Sequence, residues 1–146
     1  MSTDLLPVFV YGTLRNSLGN YNNILRGNTV HEEPATLVGA TMLDAGGFPF
    51  VTTEGEGTII GEVMYLDPAN ADHTMARLDR LEGYRGPRVP GNMYEREEVT
   101  VLSADGIPFT AYAYITATGF RRHTNRMPVI ESGDWKDAIA PASARR

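Results

Sequence analysis

Cysteine is absent from the 146 residues. That removes thiol nucleophiles, disulfides, cysteine zinc sites and iron–sulfur clusters together. Histidine is scarce, and His31, His73 and His123 stand at no metal-ligand spacing. Positive charge is in deficit: Lys and Arg number 13 against 18 Asp and Glu, for a net charge of -5. The basic footprint of a nucleic-acid binder is therefore missing. Only Lys136 among the basic residues is a lysine, an arginine bias that high-GC coding explains without function. No apolar run approaches the roughly 18 residues of a membrane span. The stretch Met1 to Phe9 has neither the positive start nor the apolar core of a signal peptide. The expectation is a cytoplasmic protein with no nucleic-acid and no membrane partner. The chemistry left to such a chain is that of carboxylates, hydroxyls, imidazoles and backbone amides.

What is present is ordinary for a globular fold, with 42% hydrophobic and 21% charged residues. The length suits one domain. It is expected over residues 1–140, with 141–146 as a frayed tail. Leu6 to Tyr11 is an apolar run broken by Gly12 and reads as a buried strand. Asn20 to Arg26 reads as a short helix, with Asn20 as N-cap and Gly27 just past its end. Further strands are expected at Ala35 to Leu43, Thr58 to Leu66, Tyr94 to Leu102 and Phe109 to Thr116, with a short extended piece at Phe48 to Val51. Gly46-Gly47, Gly55 with Gly57, and Ala104-Asp105-Gly106 supply the turn signals. Asp67-Pro68 opens the clearest helix, which runs to Glu82 and is closed by Gly83. The pieces Tyr84 to Gly91 and Gly119 to Arg126 read as loops, and Trp135 to Ile139 as one helical turn. About six strands and one good helix predict an α+β domain with a curled sheet or small barrel.

The helix nominates a functional acid. Ala71, Met75 and Leu78 make its core-facing stripe, and the next member of that stripe is Glu82. A carboxylate there sits at the negative end of the helix dipole and faces apolar surroundings. Both effects push its pKa up, towards the range of general acid–base work. A helix that frays early would instead leave Glu82 as a surface acid beside Arg80 or Arg85. His73 falls on the opposite face and is no partner for it.

A second signal is the break after the first strand. Gly12 allows a sharp turn, and the successive amides of Gly12, Thr13 and Leu14 can form an anion-binding concavity, with the Thr13 hydroxyl beside them. It is not a phosphate loop, for no Gly-Lys-Ser/Thr follows. The acidic cluster Glu95, Glu97 and Glu98 reads as a solvated strand face, and Arg121, Arg122, His123 and Arg126 as a solvated loop. Tyr94 lines a pocket or packs. Tyr112 and Tyr114 read as core, and Trp135 as a packing anchor.

Tyr11-Gly12-Thr13-Leu14-Arg15 resembles the signature turn of the gamma-glutamylcyclotransferase-like superfamily, which includes gamma-glutamylamine cyclotransferases and AIG2-like proteins. Four more segments fall in the family's order. They are Gly46-Gly47-Phe48-Pro49, Leu78-Asp79-Arg80-Leu81-Glu82-Gly83-Tyr84, Met93-Tyr94-Glu95-Arg96 with Val99 and Val101, and Ser132-Gly133-Asp134-Trp135. The resemblance implies a small mixed β-barrel flanked by one main helix and short helical segments. It implies a pocket between the first turn and the end of the helix. Glu82 would be the acid/base, and Tyr11, Gly12, Thr13, Leu14 and Tyr94 would hold a small gamma-glutamyl compound. The implied reaction closes the gamma-glutamyl group to 5-oxoproline and frees an amine or amino acid, and it asks for no metal or organic cofactor. Thr13-Leu14 is closer to the gamma-glutamylamine type than to the serine–asparagine pair of the human gamma-glutamylcyclotransferase type. The Arg-, Gly- and Pro-rich stretch Gly83 to Asn92 would lie near the pocket mouth. The alternative is an AIG2-like protein that binds a small ligand in the same pocket without this catalysis.

Overall fold

The computed structural model describes residues 6–15 and 18–139. The expected tail at 141–146 lies outside them. Five strands, β1 (Val8–Val10), β2 (Thr29–Asp44), β3 (Pro49–Leu66), β4 (Tyr94–Ser103) and β5 (Pro108–Thr116), close into a barrel in the order β1-β3-β2-β4-β5. All pairs are antiparallel except the closing one, where β1 runs parallel to β5 with Val8 opposite Tyr112. The barrel is thus mixed, and one helix, α1 (Ala71–Glu82), connects β3 to β4. A second helix, α2 (Trp135–Ile139), is a single turn.

The continuous apolar run of β1 follows from burial on both faces. Val8 and Val10 join one core cluster, which also holds Leu78 of α1, Phe50 and Tyr94. Phe9 and Tyr11 join the other, with Ile59, Val63, Val101 and Trp135. Strand β5 alternates in the same way: Tyr112 and Tyr114 face the first cluster, Ala111, Ala113 and Ile115 the second.

The structure has one strand fewer than the sequence suggests, because Gly55 and Gly57 do not end a strand. Phe48 to Val51 and Thr58 to Leu66 belong to one long β3. Thr41 pairs with Thr52 and Ala40 with Gly57, so residues 53–56 bulge out of the ladder. The bulge is held by Thr41 Oγ1 donating to the Glu54 carbonyl (2.8 Å) and by an Arg121–Glu54 ion pair (2.9 Å). Gly46-Gly47 is the true β2–β3 hairpin turn, with Ala45 N donating to Phe48 O.

The helix α1 also starts later than Asp67-Pro68 suggests. The Asp67 carboxylate accepts from Ala69 N (3.0 Å) and its carbonyl accepts from Asn70 N (3.1 Å). This local turn consumes the capping group, and the helix begins at Ala71 after Asn70. Its other end is as expected. Gly83 takes a left-handed conformation (φ 71°), and Gly83 N and Tyr84 N return to the carbonyls of Arg80 and Asp79.

The expected helix near Asn20 is one π-helical turn, Tyr21–Leu25, with Arg26 N bonded to Tyr21 O. The expected loop after Thr116 holds a 3-10 helix, Thr118–His123. In that region Arg122, His123 and Arg126 are exposed.

Gly133 combines a left-handed φ of 66° with close approach to β3, since an added Cβ would collide with the Thr58 carbonyl. Its own carbonyl accepts from Ile60 N (2.8 Å). Gly133→Ala is expected to cost roughly 2–4 kcal/mol of stability, through strain and overpacking together. A thermal melt of the variant checks it, and an unchanged midpoint would contradict the packing described.

Candidate active site

The β1 strand delivers the chain into a tight turn, where Arg15 N bonds back to Gly12 O (3.0 Å). Gly12 must lack a side chain, because a Cβ would lie 2.9 Å from the Pro49 ring. The turn is anchored from below by Arg15, which is buried. It donates through Nε to Glu62 (2.7 Å) and through Nη1 to Asp134 (2.7 Å). Asn20 Nδ2 donates to Thr13 Oγ1 (2.6 Å), which fixes that hydroxyl. Asn20 is therefore spent on the turn rather than on capping its own helix. Among the described residues, no hydrogen bond uses the backbone N–H of Gly12, Thr13 or Leu14.

This turn forms one wall of a cavity of about 300 Å³. The cavity is lined by Tyr11, Gly12, Thr13, Leu14, Glu82 and Tyr94, so all six residues singled out from the sequence meet at one place. It is completed by Phe9, Val10, Asn20, Gly47, Phe48, Pro49, Leu81 and Tyr114. Of all these, only Glu82 is ionisable in the ordinary pH range.

Glu82 lies on the last turn of α1 and is half-buried. Desolvation raises its pKa from 4.5 to about 7. No hydrogen bond or ion pair to its carboxylate is formed among the described residues. The early-fraying alternative is thereby excluded, since the helix continues through Glu82.

The tyrosines around it are arranged with their protons turned away. Tyr94 Oη donates to Pro49 O (2.8 Å), and Tyr11 Oη to Tyr114 O (2.5 Å). Their free lone pairs make them acceptors towards the cavity. Burial raises the pKa of both, and the neighbouring Glu82 raises it further, so both stay neutral phenols. Tyr94 also stacks on Phe50 (4.7 Å between centroids), so it both packs and lines the site.

The sequence pattern places Tyr114 in the core. It is buried, but it also lines the cavity and donates to Asp79 (2.6 Å). Period-two alternation assigns a face and cannot reveal that a core face opens onto a cavity. Asn20, which the sequence offers only as a helix N-cap, and Leu81, which lies in a family-like segment without a role of its own there, also line the cavity. Trp135 is buried as expected, and His73 is exposed. Glu97 and Glu98 are exposed, whereas Glu95 accepts from Arg88 N and Asn92 Nδ2.

A five-stranded mixed barrel with an acid-bearing cavity between its first turn and its helix defines a class, and the comparisons name it. The chain belongs to the family "Gamma-glutamyl cyclotransferase, AIG2-like", which it matches over residues 8–137. A candidate gamma-glutamylcyclotransferase of Vibrio cholerae is 34% identical over 129 residues, covering 88% of this chain and 93% of that protein. The gamma-L-glutamyl-butirosin B gamma-glutamyl cyclotransferase of Niallia circulans is 28% identical over 131 residues, covering 88% and 74%. The crystal structure of an AIG2-like protein from Mus musculus shares the fold with a TM-score of 0.70 at 22% identity, covering 97% of this chain and 94% of that one. No helix among the described residues is long and apolar enough to cross a membrane.

Proposed function

We propose that this protein cyclises a gamma-glutamyl group to 5-oxoproline and releases the attached amine or amino acid, with Glu82 as the acid/base. The observation that carries this reading is a carboxylate with a pKa raised to about 7 that lines the same cavity as Gly12, Thr13 and Leu14, whose backbone N–H groups make no hydrogen bond among the described residues. The family membership supports the reaction class, and the Niallia circulans relative is named as a gamma-glutamyl cyclotransferase of gamma-L-glutamyl-butirosin B.

The steps follow from those groups. The α-ammonium of the gamma-glutamyl group cannot attack until it loses a proton, and Glu82 takes it. The freed amine adds to its own γ-carbonyl, forming the ring C–N bond and an oxyanion. Amides of Gly12, Thr13 or Leu14 stabilise that oxyanion or hold the substrate's α-carboxylate. Glu82 then returns its proton to the departing nitrogen as the old C–N bond breaks, and the ring nitrogen gives up its remaining extra proton to the released amine, leaving neutral 5-oxoproline and an ammonium. Nucleophile and electrophile share one molecule, so the cavity needs only to hold the folded conformer. Tyr11, Thr13, Leu14 and Tyr94 shape the space around it.

The test is a panel of gamma-glutamyl amino acids, gamma-glutamyl amines and glutathione assayed for 5-oxoproline. Activity on any of them supports the proposal. Silence across the panel with a folded protein sinks it, in favour of a small-ligand binder. On an active substrate, kcat is expected to fall on the acid side with an apparent pKa near 7, because a protonated Glu82 cannot accept the ammonium proton. A flat profile between pH 5 and 8 would remove Glu82 from the role of base.

A further inference from the structure

One turn before Glu82 on the same helix stands Asp79, and at that spacing the two carboxylates are neighbours. Two carboxylates so placed at the negative end of a helix repel, and the second anion would burden the first. The structure surrounds Asp79 with donors. Arg96 Nη1 lies 2.9 Å from Oδ1 and 2.7 Å from Oδ2, and Tyr114 Oη donates to Oδ1 at 2.6 Å. The Arg96 guanidinium is itself held between the rings of Tyr84 and Tyr112, at 5.3 and 5.2 Å from their centroids. Asp79 and Arg96 are each about a quarter exposed, so the pair is partly shielded from solvent. These residues come from α1, the segment after it, β4 and β5. They tie the last turn of α1 to the barrel wall, and Tyr114 reaches from that cluster to the cavity.

We propose that Asp79, Arg96 and Tyr114 form a positioning cluster that holds the last turn of α1 so that the Glu82 carboxylate faces the cavity, with Arg96 cancelling the charge of Asp79 beside it. The inference rests on the reading of Glu82 as acid/base, but the titration arm of its test does not need turnover. The other groups facing Glu82 are Tyr11 after β1, Tyr94 of β4 and Tyr114 of β5, all neutral because burial raises them. Its chain neighbours Arg80 and Arg85 are exposed, and Arg85 is turned to the Pro90 carbonyl. The charges in the cluster are therefore Asp79 and Arg96, and they offset each other. Burial alone accounts for the raised Glu82.

The experiment is an NMR titration of the Glu82 carboxyl carbon, assigned with Glu82→Gln, in Arg96→Gln, Asp79→Asn, the double variant and Arg96→Lys. Arg96→Gln leaves Asp79 uncompensated and is expected to raise the Glu82 midpoint by about half a pH unit. Asp79→Asn leaves the cation uncompensated and is expected to lower it by about as much. The double variant returns it to the wild-type value. Arg96→Lys keeps the charge but loses the planar guanidinium held between the Tyr84 and Tyr112 rings, so the midpoint stays while kcat falls about tenfold at unchanged KM. A purely structural role would lower activity in every variant and leave the midpoints alone. Unmoved midpoints, or shifts of one sign in both single variants, would overturn the proposal. Should Arg96→Gln fail to fold, Asp79→Asn and Arg96→Lys still decide it. If the midpoints move as expected but no substrate is turned over, the cluster stands and the proposed reaction falls.

Discussion

Glu82→Gln is expected to retain its fold and lose 5-oxoproline formation by about 10²–10⁴-fold in kcat, the span that a positioned acid–base group contributes. The amide has nearly the shape of the carboxylic acid, so the cavity wall is unchanged. It cannot accept the ammonium proton, and it has none to give the leaving nitrogen. The substitution also breaks no hydrogen bond within the described protein, which separates the chemical loss from a structural one. Matched circular dichroism spectra and melts of the two proteins, followed by steady-state assays on any active gamma-glutamyl substrate, supply the comparison. KM should change far less than kcat, because the turn at Gly12 to Leu14 and the Tyr11 and Tyr94 rings are untouched. Wild-type turnover in this variant would end the assignment of Glu82.

Much of this site was legible because its signals are local. The stripe Ala71, Met75, Leu78 and Glu82 depends only on helix period, and Gly83 ends the helix where a left-handed residue is needed. The buried β1 strand and its break at Gly12 are equally local. The errors arose where a short-range signal met a longer-range partner. Gly55 and Gly57 look like a turn, but pairing of β3 with the whole of β2 carries the strand past them as a bulge. Asp67-Pro68 looks like a helix start, but the Asp67 side chain closes a turn on Ala69 first. Arg15 reaches Glu62 and Asp134, 47 and 119 residues away, and no periodicity pairs residues at such separations. The same holds for Arg96 and Tyr114 on Asp79. Family resemblance located the segments that carry Arg15, Asp79, Arg96 and Asp134, but not Glu62 or Tyr114, and revealed none of the bonds between them.

The raised pKa of Glu82 also has a thermodynamic consequence, and its sign is fixed. The group titrates near its usual 4.5 when unfolded and at about 7 when folded. Below pH 4.5 both states hold the proton, and the neutral acid contributes its full stability. Between 4.5 and 7 the unfolded chain releases the proton first, so stability declines as pH rises. Above 7 the folded protein carries a desolvated carboxylate, and the loss is complete. The displacement corresponds to about 3 kcal/mol, a sizeable part of a typical folding free energy. Other carboxylates titrate in the same range, so the quantity to measure is the difference between wild type and Glu82→Gln. Their melting temperatures should coincide near pH 4, separate through pH 7 and differ by roughly 5–10 °C at pH 8, with the variant the more stable. Parallel curves from pH 4 to 8 would mean that Glu82 is solvated in the folded protein, and the argument for its basicity would go with it. The expected divergence instead ties the two properties of one side chain together: the burial that raises Glu82 into the range of a useful base is the same burial that destabilises the fold when the base is charged.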